Sequence, residues 1–239
     1  MGKPLITQRR GKGSPSFKAR STRFKADVSY RNHDEREKDL IRFEVLDLVD
    51  DPARSALLMK VRYDDGQVLL LPAAEGIMVG QVLEEGYNAS LNIGNILPLE
   101  KIPEGYPVFN IETVIGDGGS LVRSSGSAAF IVSKTGGQVL VKLPSGQMKY
   151  FDGRERAMIG NVCGGGRTEK PMLKAGVGYY KNIARGHWYP TVRGVKMNAY
   201  DHPFGGKQHH GAITPKGKGA PAGQHVGSFG AKRTGRRKR

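Results

Sequence analysis

"LIRFEVLDLVDD" (residues 40–51) opens a series of short runs and is followed by "SALLMKVRY" (55–63), "QVLLLPA" (67–73) and "IMVGQVL" (77–83). Short β-branched or leucine-rich runs of this kind predict strands, and no long helical stripe interrupts them. "DDG" at 64–66 joins the second and third runs and is a short-hairpin signal. After the turn-forming "SLNIGNILPLEKIPEG" (90–105) the runs resume as "VFNIETVIG" (108–116), "GSAAFIVSKT" (126–135), "GGQVLVKL" (136–143), "QMKYF" (147–151) and "RAMIGNV" (156–162). "TGG" and "PSG" supply turns between them. Short strands at this spacing predict a mainly β chain built of small barrels, not a doubly wound sheet. The texture changes near "GDGGS" (116–120), where a division is expected with about five strands on each side.

Outside this middle the sequence changes character. Residues 1–33 hold nine Lys/Arg and one acid, residues 34–162 hold thirteen and nineteen, and residues 163–239 hold sixteen and two. The net charge of +16 therefore sits in two flanks around a slightly acidic body. Such a field favours a polyanionic partner. The C-terminal flank has sixteen glycines from Gly164 onward and ends in "AKRTGRRKR". It lacks the apolar area to offset an ordering cost of about 1 to 2 kcal/mol per residue, so alone it is expected to be disordered. Threaded into RNA, its Lys and Arg neutralise phosphates and its glycines let backbone approach them closely. The start "MGKPLITQRR" has no apolar signal core, the longest apolar run is far below the roughly 20 residues of a membrane span, and Cys163 has no second cysteine. A soluble, cytoplasmic protein without membrane contact is expected.

Three stretches could carry chemistry. "GNVCGGGRTEKP" (160–171) resembles a phosphate loop but lacks the Lys-Ser/Thr of a Walker A sequence, and Glu169 stands where a dinucleotide fingerprint needs glycine. It reads as a flexible exit with Arg167 and Lys170 on phosphates. "GYYKNIARGHWYPTVRG" (178–194) interleaves Tyr179, Tyr180, Trp188 and Tyr189 with Lys181, Arg185 and Arg193, a pattern that suits unpaired bases. The rings could equally close the bottom of the second barrel. "RGVKMNAYDHPFGGKQHHG" (193–211) gathers Asp201, His202, His209 and His210, but Gly205 and Gly206 separate them and no rigid scaffold is apparent. No metal, cofactor or small-molecule substrate is expected.

"MGKPLITQRRGKGSPSFKA", "AAEGI", "LNIGNILPL", "KLPSG", "GGGRTEKPMLKAG", "PTVRGVKMNAYDHPFGG" and "KRTGR" occur in this order along nearly the whole chain. Together they resemble the universal family of large-subunit ribosomal protein two, in its archaeal and eukaryotic form. The resemblance implies an OB-fold barrel followed by an SH3-like barrel, with extended basic N- and C-terminal arms. As domains this gives a basic extension at 1–33, the OB-fold at 34–116, the SH3-like barrel and its exit at 117–190, and a glycine-rich basic tail at 191–239. It also implies a non-enzymatic, primary RNA-binding constituent of the large subunit that supports subunit association and transfer-RNA placement near the peptidyl transferase centre. Neighbouring large-subunit proteins and the small subunit, at an intersubunit contact, are then further partners.

The expected RNA contacts are cations of both flanks. Arg9, Arg10, Lys12, Lys18, Arg20 and Arg23 lie in the first, and Arg167, Lys170, Lys174, Lys181 and Arg185 lie in the second with Trp188. Carried over from the family, the loop nearest the catalytic RNA spans Arg193 to Gly206. In it Arg193, Lys196 and then Lys207 are expected on phosphates, Asn198 and His202 on more selective hydrogen bonds, and Gly194, Asp201, Gly205 and Gly206 on the path of the chain. Lys232, Arg233, Arg236 and Arg237 complete the set. His202 stands at the histidine for which the family's catalytic role was proposed, and the rival reading makes it a base on the attacking amine. Bacterial members have a second histidine where this chain has Phe204, which weakens any mechanism using two imidazoles. Lys196 and Tyr200 also depart from the usual small and aliphatic residues of the family, adding a cation and a ring.

Overall fold

A computed structural model describes residues 2–32 and 40–206. Ten strands run in chain order as β1 (Ile41–Val49), β2 (Leu58–Tyr63), β3 (Val68–Pro72), β4 (Val82–Glu85), β5 (Ile96–Pro98), β6 (Pro107–Phe109), β7 (Ala129–Thr135), β8 (Gln138–Lys142), β9 (Met148–Asp152) and β10 (Arg156–Ile159). The mainly β architecture expected from the short runs and their turns is present, with six of these strands before residue 116 and four after it. They are hydrogen-bonded in the order β3-β2-β1-β4-β5-β10-β6-β7-β8-β9. The "DDG" hairpin forms as read: Tyr63 and Gln67 pair at 2.9 Å, and the Asp65 carboxylate accepts the Gln67 N–H at 2.9 Å. "IMVGQVL" differs from its reading. The chain turns through residues 78–81, Met78 C=O accepting the Gln81 N–H at 3.3 Å, and the strand begins only at Val82.

Two hydrophobic clusters lie within residues 21–171. The first holds Phe43, Val45, Met59, Val61, Tyr63, Leu71 and Leu83. The second holds Leu99, Ile102, Ile131, Val139, Val141 and Phe151. Strands β5, β6 and β10 serve both. Ile96, Phe109 and Met158 enter the first cluster, while their chain neighbours Leu97, Val108, Ala157 and Ile159 enter the second. A pleated strand splits its neighbours between two faces, so three strands here form a wall common to both cores. An isolated bridge, Ala74 to Val162, extends the pairing from the end of β10 to the segment after β3. The N-terminal segment reaches the first cluster too: Val28 and Tyr30 are buried, and the Tyr30 hydroxyl donates to the Asn110 carbonyl at 2.5 Å.

Arg156, at the start of β10, is the polar centre of this wall. Its Nε and Nη2 donate to Glu112 at 3.1 and 2.7 Å, and its Nη1 donates to Glu85 at 2.8 Å and to the Arg31 carbonyl at 2.9 Å. The Tyr63 hydroxyl donates to Glu85 at 2.6 Å, and the guanidinium lies 5.1 Å from the Tyr30 ring centre. Burial alone would lower the guanidinium pKa, but the hydrogen bond to Glu112 and the charge of Glu85 raise it. Burial, with Glu85 beside it, drives the Tyr63 hydroxyl upward, so it stays a donor.

The chain divides into two compact units: residues 21–171, which carry the sheet, and residues 2–20 together with 172–206. The second contains helices α1 (Ile6–Gly11) and α2 (Ala175–Ala184). The expectation of a flank without regular structure therefore does not hold over 175–184. Among the described residues, no helix is long and apolar enough to cross a membrane.

Candidate nucleic-acid interface

The unit of two flanks is held by rings and backbone rather than by a large core. Phe17 lies 6.1 Å from Trp188 between ring centres, and Arg9, on α1, lies 5.9 Å from the same indole. The strand-poor N-terminal segment thus closes on the C-terminal one. Gly186 fixes where they meet: its φ is +68°, and a Cβ there would stand 2.7 Å from the Ala19 nitrogen. Only glycine combines that backbone angle with that proximity. On α2, Asn182 Nδ2 donates to the Gly178 carbonyl at 2.7 Å and the His187 N–H returns to the Asn182 carbonyl at 2.8 Å. Tyr189 covers Gly178. These contacts hold a helix whose own sequence, "AGVGYYKNIA", has two glycines that disfavour it.

The loop from Arg193 to Gly206 is equally constrained. The Lys3 N–H donates to the Tyr200 carbonyl at 2.9 Å, and Lys3 Nζ pairs with Asp201 at 2.9 Å while lying 4.9 Å from the Tyr200 ring centre. The hydrogen bond and charge of Asp201 raise the Lys3 pKa. His202 folds back on its own loop. Its Nδ1 accepts the Phe204 N–H at 3.0 Å, its carbonyl accepts the Gly205 N–H at 2.8 Å, and its ring rests against Gly194, where any Cβ would overlap it. The Gly206 N–H closes the loop on the Met197 carbonyl at 3.3 Å.

This geometry assigns the protons. With Nδ1 accepting, the neutral His202 imidazole carries its hydrogen on Nε2 and has no lone pair left. Its Nε2–H is then available as a donor toward its surroundings. Asp201 is likewise engaged with Lys3 and not with His202. Residues 2–20 supply six Lys/Arg and residues 172–206 supply five, against Asp201 as the one acid of those two segments. Tyr179, Tyr180, Trp188, Tyr189 and Tyr200 all expose large parts of their rings among these cations. The arrangement can neutralise phosphates, stack on bases and donate from His202.

Two domain descriptions match this chain: "Ribosomal Proteins L2, RNA binding N-terminal domain" over residues 3–85, and "Ribosomal Proteins L2, C-terminal domain" over residues 92–225. The chain is 49% identical to large ribosomal subunit protein uL2 of Methanosphaera stadtmanae, over the full length of both. It is 48% identical to the protein of that name from Methanocaldococcus jannaschii, also over both full lengths. It is 48% identical to that of Natronomonas pharaonis, over 99% of this chain and 97% of that one. The chain belongs to the ribosomal protein L2 family.

Within this L2-family chain the expected contact residues fall into three groups. Arg9, Arg10, Lys12, Lys18, Arg20, Lys174, Arg185, Trp188, Arg193, Lys196 and Asn198 are exposed, Lys181, Gly194, Asp201, His202 and Gly206 are half-buried, and Gly205 is buried, all in the unit of the two flanks. Arg23, Arg167 and Lys170 are exposed on the unit that carries the sheet. Lys207, Lys232, Arg233, Arg236 and Arg237, with His209 and His210, lie outside the described residues. The segment read as a flexible exit is a 3-10 turn (Gly165–Thr168) in which Arg167 Nε donates to Ser125 Oγ at 2.8 Å. Trp188 packs with Phe17 and Arg9 within the flank unit. Among the described residues no three His, Cys, Asp or Glu side chains gather as metal ligands. Lys3 and Phe17, which anchor the loop and the indole, were not expected. Their partners lie some 170 to 200 positions away, a relation that no local pattern signals.

Proposed function

We propose that this chain is a structural, ribosomal-RNA-binding constituent of the large ribosomal subunit, acting in the cytoplasm as part of the assembled ribosome. Its flank unit threads large-subunit RNA, and through it the chain supports subunit association and transfer-RNA placement near the peptidyl transferase centre. Neighbouring large-subunit proteins and an intersubunit contact with the small subunit complete its partners. The observation that carries this reading is the exposed set of cations and rings in the two flank segments, whose one carboxylate is already paired with Lys3. In this reading His202 donates a hydrogen bond from Nε2 and takes no part in catalysis.

The test is the salt dependence of binding between the full chain and large-subunit RNA. Neutralising six to ten phosphates lowers affinity by about 10³ to 10⁵ between 50 and 200 mM salt. Shortening the N-terminal flank should reduce the slope, and removing the C-terminal one should reduce it more. A flat response would overturn phosphate anchoring.

A further inference from the structure

The sheet has an outer surface that the flanks do not explain. On β7, β8 and β9 the register aligns Phe130 with Lys142 and Lys142 with Met148, and in the next row Leu140 with Tyr150. Phe130 is 47% exposed, Met148 59% and Tyr150 61%, while the alternate residues Ile131, Val139, Val141 and Phe151 fill the core beneath. A half-buried antiparallel sheet ordinarily shows polar side chains to water. Two outward rings around a lysine call for a partner.

Charge says which kind. Residues 34–162 are net negative, yet residues 118–151 contain no Asp or Glu and carry Arg123, Lys134, Lys142 and Lys149. Two acids at the ends of these strands are engaged. Glu104 accepts the Lys134 N–H at 3.1 Å, and Asp152 pairs with Arg154. By contrast, the exposed apolar residues Val82 and Ile93 line a cleft together with Glu75 and Glu84, a setting that repels phosphate. The β7–β9 face is the apolar surface of the sheet suited to an anion that also offers rings.

We propose that the outer face of β7–β9 is a base-stacking contact for an unpaired segment of large-subunit RNA, with Phe130 and Tyr150 as platforms and Lys142 on the intervening phosphate. Phe130 and Tyr150 are two strands and two residues apart, about 12 Å by ordinary sheet spacing, the reach of a two- or three-base step. The assignment rests on the RNA-binding reading above and adds a second, stacking-based contact to the electrostatic one.

The experiment measures binding of the full chain to large-subunit RNA across a salt series, comparing wild type, the double variant Phe130→Thr/Tyr150→Thr, and the ring-preserving Tyr150→Phe. Threonine keeps strand propensity at exposed positions. Stacking is worth about tenfold or more in affinity per ring, so the double variant should lose on the order of 10² with an unchanged salt slope, and Tyr150→Phe should bind as wild type. Lys142→Gln should instead lower the slope by about one. Independently of any variant, RNA carrying photoreactive 5-iodouridine should cross-link wild-type protein at Phe130 or Tyr150. Wild-type affinity in the double variant, or cross-links confined to residues 2–20 and 172–206, would overturn the contact while leaving RNA binding intact. Loss of co-assembly with a neighbouring protein, at unchanged RNA affinity, would assign the face to that protein and also overturn it. A wild-type chain without RNA affinity would overturn both readings.

Discussion

Replacing Arg156 by methionine removes a cation shared by Glu85 and Glu112 while keeping an unbranched apolar stem. Arg156 is 9% exposed at its side chain and the Glu112 side chain is 0% exposed. Without the guanidinium, Glu85 keeps the Tyr63 hydroxyl at 2.6 Å, and Glu112 keeps the Arg156 and Gly118 N–H groups at 2.9 and 3.3 Å. Among the described residues neither carboxylate keeps a compensating charge, and the Arg31 carbonyl loses the Nη1 donor. Breaking a buried pair from one side costs about 3 to 5 kcal/mol. At about 2 to 4 °C per kcal/mol for a unit of this size, the melting temperature should fall by roughly 6 to 20 °C. Thermal and urea unfolding of the RNA-free full chain, followed by tyrosine fluorescence, reads this directly because Tyr30 and Tyr63 border the network. Adding Glu112→Gln to Arg156→Met should cost less than the sum of the two single changes, since the first loss leaves less to lose. A deficit under about 1 kcal/mol for Arg156→Met, or strict additivity, would refute the role given to this wall.

Two further outcomes follow from local geometry. Asp117 would be raised by burial, but bonds from the Thr113 side chain and N–H and from the Gly119 N–H hold it below the usual carboxylate range. A depressed carboxylate stabilises above its ordinary value near 3.9 and stops doing so as pH falls through its folded value. Asp117→Asn should therefore be less stable than wild type at pH 7 by urea unfolding, by a margin that solvent screening of this exposed group keeps small, and the gap should close in acid; a gap that widens in acid would contradict the sign. His202→Gln, which keeps a hydrogen-bond donor, should leave the single-turnover rate of peptide transfer on fully assembled particles within a few-fold of wild type. A defect of about 10² or more would restore the general-base reading.

Some of this was legible because it is local. "LIRFEVLDLVDD" is a strand-forming run by itself, and "YDDGQ" carries its own turn. "IMVGQVL" misleads because composition alone does not reveal the turn at 78–81 that keeps Met78 and Val79 out of the strand. Helix α2 was invisible for the opposite reason: its glycines and tyrosines are poor helix formers, and it is the returning bonds of Asn182 and His187 and the cover of Tyr189 that hold it. Nothing in "KADVSYRN" marks Val28 and Tyr30 as core, because the partner of Val28 is Arg123 and those of Tyr30 are Asn110, Gly118 and Arg156. The candidate interface was readable as charge, since cations cluster in sequence. Its internal wiring was not, since the ion pair between Lys3 and Asp201 joins residues 198 positions apart.

The shared wall also bears on how the chain is made. β10 is the last of the described strands to be synthesised and lies in the middle of the sheet, between β5 and β6. Neither hydrophobic cluster is complete until it arrives. At about 5 to 20 residues per second, β1 waits on the order of ten seconds for the strand that seals its core. The cationic start of the chain waits longer still, because its anchors Trp188, Tyr200 and Asp201 come last. During that interval a polycation trails from an open sheet, and a surrounding polyanion competes for it before the chain's own C-terminal half exists. Early engagement with RNA is then a contest between translation speed and encounter, decided by where in the sequence the closing strand was put.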